Sequence, residues 1–253
     1  MTNNEILFFE ELQSNAFPAL QSLHYDGWDV RFGGGFTYRV NCANPLYPEK
    51  LPAAEKIEFV ETLYKNSSLD KSIIKLHDGM EAAQLAACEG LLNEKGYSSE
   101  RRGNIFLCDL ANFQASPKAS VDISACMSDN WLSGFLQMNG TADQQYSAAC
   151  SMLKNIYYPI AAASIYENGK MVACGLGVIE RGYIGLYDIY VDAACRRRGL
   201  GLDICSAIMA YGKENGCHTA YLQVLSDNSG ARALYKRLGY YETYEYWYRV
   251  KRL

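Results

Sequence analysis

Residues 190–204 read YVDAACRRRGLGLDI. A strand-like apolar stretch runs into three arginines, two glycines and a helical pattern. Arginine offers oxyanions a planar fork of charged donors. Glycine beside it lets a ligand approach the backbone closely. A helix that begins near Gly199 leaves its first N–H groups without intrahelical partners. Those groups and the helix dipole form a ready anion site. The chemistry suggested is a grip on a phosphate: Gly199 and Gly201 clear the backbone, and Arg196 and Arg198 bond from the rim. The bland alternative is a helix start decorated with solvated arginines, which is how Arg197 is read.

A second block, YLQVLSDNSGARALYKRLGYY, occupies residues 221–241. Leu222 and Val224 alternate as in a strand, and Asn228 or Ser229 can cap a helix. Ala231, Leu234, Tyr235 and Leu238 then recur at helical spacing as one buried stripe, which Gly239 ends. Rival phosphate motifs fit worse. The P-loop pattern is absent, and both GLGLDI and GLGVIE lack the third glycine of a dinucleotide fingerprint, having Ile204 and Glu180 there.

Composition narrows the field. The chain has 253 residues, 49% hydrophobic and 21% charged, with a formal net charge of -4. This fits a globular protein with a substantial core and argues against a general nucleic-acid binder. The nine cysteines are odd in number and form no C-x-x-C pair, so metal and disulfide readings are weak. His24, His77 and His218 lie outside both blocks and read as surface or helix-end positions. The start lacks a signal-peptide pattern and no stretch is long enough for a membrane helix, so the expectation is a reducing cytoplasm.

The elements that must hold the two blocks follow an α/β order. A helix is expected at 3–14, then a hairpin across the triple glycine of residues 28–41. Helices at 53–66 and 80–96 alternate with strands at 72–78 and 104–110. Residues 112–124, small, polar and broken by Pro117, are the expected linker. Two helices follow (128–138 and 144–156), then strands at 159–167, 170–180 and 183–191. A helix at about 199–214, a strand at 219–225, a helix at 229–238 and a final strand from 241 complete the chain. The expected fold is a mixed α/β sheet with helices packed on it. GLLNEKGY (90–97) also aligns with ALYKRLGY (233–240), Gly96 falling on Gly239 and Leu92 on Tyr235. If this is a duplication, the first copy lacks the arginine–glycine turn, and the chemistry belongs to the second.

RRRGLG followed about thirty residues later by LQVLSDNSGARALYKRLGY resembles the GNAT family of acyl-CoA-dependent N-acetyltransferases. The family's [QR]-x-x-G-x-[GA] is matched by Arg196, Gly199 and Gly201. A second pattern, N-x-x-A-x-x-L-Y-x-x-x-G-[FY], is matched by Asn228, Ala231, Leu234, Tyr235, Gly239 and Tyr240. The resemblance covers about residues 121–253. WDVRFGGGFTYRVNCANPLYP in the first half looks like the degenerate companion domain of two-domain members. It implies a tandem GNAT acyl-CoA N-acyltransferase fold, with residues 1–115 degenerate and 116–253 catalytic.

The resemblance also implies acetyl-CoA as co-substrate and no metal. The diphosphate would sit on the turn formed by Arg196, Arg197, Arg198, Gly199, Leu200 and Gly201. The pantetheine arm would lie along Ile189, Tyr190 and Val191, with strands 183–191 and 219–225 splayed to admit it. Tyr235 matches the family's proton donor, and a tyrosine of ordinary pKa is protonated at neutral pH, as an acid must be. Its alternative is a core aromatic. Asn228 is an N-cap that is also expected to touch CoA. Asp188 is the one carboxylate the central strand offers as a base, against a structural role or a base supplied by water. Trp131, Tyr157, Tyr158, Tyr187, Tyr190 and Trp247 either shape an acceptor pocket or pack the core.

The function expected is transfer of acetyl from acetyl-CoA to a primary amine of a small molecule or peptide, by direct attack in a ternary complex. The rivals are a non-catalytic acyl-CoA sensor or partner-binding module and a nucleotide-binding regulator. No nucleic-acid or membrane partner is expected. Homodimers are common in the family, although the oligomeric state is not legible here. The acidic balance mildly favours cationic acceptors.

Overall fold

Thr2 and Glu5 close a reciprocal capping box ahead of the first helix, α1 (Asn3–Ala16). In the computed structural model, which describes residues 1–253 apart from Ser116, the chain continues through β1 (Gln21–Tyr25), β2 (Trp28–Phe32), β3 (Ala43–Pro45), α2 (Ala53–Asn66), β4 (Lys71–His77), α3 (Ala82–Glu94) and β5 (Ser98–Asp109). Then come β6 (Asp122–Ser124), α4 (Asp129–Met138), α5 (Asp143–Lys154), β7 (Ile160–Glu167), β8 (Lys170–Glu180) and β9 (Tyr183–Val191). The last elements are α6 (Leu200–Glu214), β10 (Thr219–Leu225), α7 (Ser229–Arg237) and β11 (Tyr241–Arg252).

Two units form. The first comprises Met1–Asn104, Ser147–Asn155 and Tyr244–Leu253; the second comprises Ile105–Tyr146 and Ile156–Thr243. In the first, β1–β2–β3 pair antiparallel, β3 joins β4 in parallel, and β11 lies antiparallel to β4. Its core gathers Trp28, Ile57, Val60, Tyr64, Ile74, Leu76 and Leu92. The helix face expected from Ile57, Val60, Glu61 and Tyr64 is inward, and half-buried Glu61 accepts the Tyr97 hydroxyl. The hairpin differs from expectation. Its tight turn is Asp26-Gly27, both at positive φ, between β1 and β2. The triple glycine instead opens a long loop before β3, held by Asn41 Oδ1, which accepts the N–H groups of Gly33 and Gly35. An Asp-Gly pair is the stronger short-range hairpin signal.

His77 is also a correction. It is buried at the end of β4, not on the surface. Its neighbours explain why: Glu10 is paired with Lys75 and accepts the Tyr244 hydroxyl at 2.8 Å, and that ring meets His77 edge-on. His24 and His218 are exposed as expected.

In the second unit the strand order is β6–β7–β8–β9–β10, antiparallel up to β9 and parallel between β9 and β10. The expected linker, 112–124, ends in β6; residue 116 lies outside the described residues. Helix α6 packs Ile204, Cys205, Ile208 and Met209 into the core. Gly175 and Gly177 on β8 make this possible: a Cβ on either would lie 2.6 Å from an isoleucine of α6. The isoleucines stabilise the contact by up to about 1.5–3 kcal/mol each. That packing fixes where the start of α6 stands.

The aligned segments of the two units share one local geometry. Gly96 and Gly239 both have left-handed φ, at +78° and +90°. Tyr97 N–H donates to Leu92 O at 2.9 Å, and Tyr240 N–H to Tyr235 O at 3.1 Å. Both helices therefore end in the same glycine-dependent cap.

Candidate functional site

Within the second unit, a cavity of about 720 Å³ is lined by β9, the turn before α6, and α7. Of the residues singled out from the sequence, Ile189, Tyr190, Val191, Arg196, Arg197, Gly199, Leu200, Gly201, Asn228 and Tyr235 line it. Asp188 and Arg198 do not.

The turn has the geometry an anion requires. Gly199 caps α6 at φ 90°, ψ -4°, a left-handed conformation that strains any residue with a Cβ. Its carbonyl accepts the N–H groups of Leu202 and Asp203. Among the described residues, no acceptor meets the N–H groups of Gly199, Leu200 and Gly201. Arg196 and Arg197 stand at the rim, and Arg196 Nε donates to Val191 O at 3.3 Å. Asp203, the acid in the first turn, would repel an anion, but it faces away: buried, it accepts the N–H groups of Lys118 and Ala119. No acidic side chain is among the described residues lining the cavity.

Arg198 is turned outward by a forked ion pair with Glu167. A second pair of opposite sense, Lys170 Nζ to Asp192 at 2.7 Å, joins the same two segments. The β7–β8 hairpin thus braces the turn from behind. Arg198 was expected to reach the anion; here it lies outside the cavity lining, with Glu167 holding both ends of its fork.

Strand pairing opens the other wall. The β9–β10 ladder runs from Tyr183↔Thr219 to Leu186↔Leu222. Beyond Leu186, β9 is held from its other side, with Tyr190 opposite Cys174 and Val191 opposite Ala173. Between Tyr187 and Tyr190 there is a bulge: Asp188 and Ile189 oppose Gly175 alone, and Asp188 has φ +52°. A bulge bends and twists its strand, here where the parallel ladder ends. Asp188 is thereby half-buried at the bend, next to Ile189 on the cavity wall. At the foot of the opening, the Tyr187 hydroxyl donates to that of Tyr221 at 2.9 Å.

Tyr235 is 8% exposed, packed edge-on against Tyr240 at 5.8 Å. It belongs to the core and to the cavity wall at once. Among the described residues no partner bonds its hydroxyl. Burial, with the Cys205 thiol beside it, pushes the phenol well above its ordinary pKa. Asn228 Oδ1 accepts Ala231 N–H at 3.1 Å, so this cavity residue is also the α7 N-cap.

Beyond Asn228 and Tyr235, the sequence reading missed the other α7 residues that line the cavity. Gly230, Ala233 and Arg237 line the cavity, as do Ala231 and Leu234, which are half-buried rather than core. The small residues at the start of α7 were the available signal, since they leave room where a helix faces a ligand. Of the aromatic residues, Trp131, Tyr187 and Trp247 are buried, and Trp131 Nε1 donates to Ala163 O. Tyr157 is 98% exposed and Tyr190 lines the cavity. Among the described residues no helix is long and apolar enough to cross a membrane, and no three His, Cys, Asp or Glu side chains converge as metal ligands.

Residues 3–249 match the family model described as "Probable histone acetyltransferase Rv0428c C-terminal". The chain is 26% identical over 122 residues to the uncharacterized N-acetyltransferase YobR of Bacillus subtilis, covering 48% of this chain and 49% of that one. It spans about half the length of the curated relatives it matches. Among solved structures, a GCN5-related N-acetyltransferase from Kribbella flavida superposes with a TM-score of 0.72 at 16% identity, over 97% of this chain and 95% of the other. A tandem GNAT protein from the clavulanic acid biosynthesis pathway gives 0.65 at 13% identity, over 96% and 87%.

Proposed function

We propose a reaction on one premise: the chain belongs to the GNAT family of N-acetyltransferases. It moves an acetyl group from acetyl-CoA to a primary amine, in a catalytic region of residues 116–253 preceded by a degenerate copy in residues 1–115. The observation that carries this is that Gly199, Leu200 and Gly201, with their open N–H groups, line the same cavity as Tyr235.

The residues present suit a CoA thioester. The open N–H groups and the arginines suit a diphosphate. The stretch of β9 beyond its ladder with β10 suits a peptide-like arm on that side, with backbone groups of Ile189 and Val191 to receive it. When bound, acetyl-CoA supplies the acetyl group already activated as a thioester. Tyr235 holds its proton throughout the neutral range, because burial disfavours the phenolate. The same surroundings raise the proton affinity of a thiolate formed beside it, so donation from the phenol is not opposed by the full difference in aqueous pKa. Asp188, one residue from the cavity wall, takes the proton released by the amine, directly or through water. The nine thiols, all free, suit a reducing, cytoplasmic setting.

The test is release of free CoA thiol over a panel of primary amines. Tyr235→Phe is expected to lower kcat by about 10²-fold or more, the range of general acid catalysis, with the KM for acetyl-CoA little changed. Equal release by both proteins defeats the acid assignment. Tight acetyl-CoA binding with no release from any amine favours the sensor.

A further inference from the structure

The first unit holds a polar pocket that the proposed reaction does not use. It has a volume of about 270 Å³ and is lined by Glu11, Ser14, Asn15, His24, Asp29, Leu46 and Tyr47. Asp29 is its anomaly. The side chain is 8% exposed, yet its Oδ1 is buried and meets no hydrogen-bond donor among the described residues. Its other oxygen, Oδ2, lies 3.7 Å from Arg31 Nε. Arg31 cannot swing across to serve Oδ1, because its fork is held by the carbonyls of Arg39, Ser14 and Phe17. His24, on the adjacent strand and mostly exposed, stands 3.6 Å from Oδ1. A buried carboxylate oxygen without a donor is costly, and an added charged donor is what relieves it.

Two further features favour a cation. Glu11 adds a second carboxylate, which accepts the Tyr47 hydroxyl at 3.3 Å. Ser14 and Asn15 belong to the last turn of α1, which carries no basic side chain. A helix C-terminus has partial negative charge and attracts cations. Leu46 and the Tyr47 ring supply apolar walls, suited to a short alkyl chain and to a cation over an aromatic face. These apolar walls beside the carboxylates point to an organic cation.

We infer that this pocket binds a small primary alkylammonium ion, with the ammonium donating to Asp29 Oδ1 and Glu11 and the alkyl stem lying on Leu46 and Tyr47. The site is independent of the acetyl-CoA cavity and of the reaction proposed there.

The test is titration of the full chain with n-propylammonium chloride, followed by calorimetry and by the NMR signals of His24, with tetramethylammonium chloride as control. Propylammonium is expected to saturate in the millimolar range. Tetramethylammonium, equally charged but without an N–H donor, is expected not to. Asp29→Asn and Glu11→Gln are each expected to weaken binding by roughly tenfold. Coenzyme A binding, measured alongside, should be unchanged in both. If Asp29→Asn fails to fold, the more peripheral Glu11→Gln decides. Absence of saturation by propylammonium overturns the proposal, as does equal binding of both cations or wild-type affinity in the folded variants.

Discussion

At the scale of single residues, Gly199 and Tyr235 have the clearest duties. Gly199 holds φ +90° with nothing within 4 Å of where a Cβ would stand. An alanine there meets no clash, so its effect is conformational, about 1–2 kcal/mol. Gly199→Ala is therefore expected to lower Tm by ~2–4 °C per kcal/mol. It should also weaken CoA binding, because relief of the strain turns the N–H groups aside. A Tm and a CoA affinity both equal to wild type would show that the turn does not need this conformation. Residue identity in the two blocks was legible because the requirements are local: a glycine for the turn, a cap for α7, a tyrosine at fixed spacing. The direction of Arg198 was not. It depends on Glu167, 31 positions away, and nothing in RRRGLG distinguishes the arginine on the strut from those at the rim.

At the scale of elements, the strut makes its own prediction. The Glu167–Arg198 pair is exposed, so solvent screening keeps its direct contribution to stability small. Glu167→Gln and Arg198→Ala should change the KM for acetyl-CoA alike, each by less than roughly fivefold, as expected of such a pair. Arg196→Ala should do more. A large KM effect from Arg198→Ala alone would place that arginine on the anion.

In the first unit the buried group on α1 and β4 sets a pH dependence. Burial tends to raise Glu10, but Lys75, His77 and the Tyr244 hydroxyl outweigh it, leaving the carboxyl below its usual 4.5. Burial holds His77 below its usual 6.5, against the pull of Glu10. For both, the unfolded chain binds protons more readily, so stability is full above about pH 6.5 and is lost as pH falls through each folded pKa. His77→Gln should flatten the upper part of a Tm–pH curve, and Glu10→Gln the part below pH 4.5. Curves parallel to wild type in both variants would contradict the assignment.

The long helix α2 was legible from periodicity because it buries one face, and β8 and β9 were legible as long apolar runs, β8 being buried on both faces along nearly its whole length. The short strands β1, β3 and β6 were not: three to five residues carry too little pattern, and β1 is exposed along most of its length.

At the scale of the whole molecule, the mixed α/β character and the GNAT fold were readable from the alternation of strands and helices and from two spaced motifs. The partition was harder to see. The chain's end returns to the first unit, with Tyr244–Leu253 grouped with Met1–Asn104. The pairing responsible, β11 against β4, joins residues about 170–180 positions apart and depends on tertiary packing that no local window contains. The repeated helix ending at Gly96 and Gly239 survives in both units, with Leu92 fully buried at the place where the second unit presents Tyr235.

The central claim is that one cavity grips a diphosphate on the backbone of Gly199–Gly201 and presents the Tyr235 hydroxyl to the thioester. A crystal structure of the protein with coenzyme A tests it most directly. The account predicts phosphate oxygens within hydrogen-bonding distance of those N–H groups, the pantetheine arm along Ile189 and Val191, and the sulfur beside Tyr235. Coenzyme A bound elsewhere, or bound here with its sulfur turned away from that phenol, would contradict it.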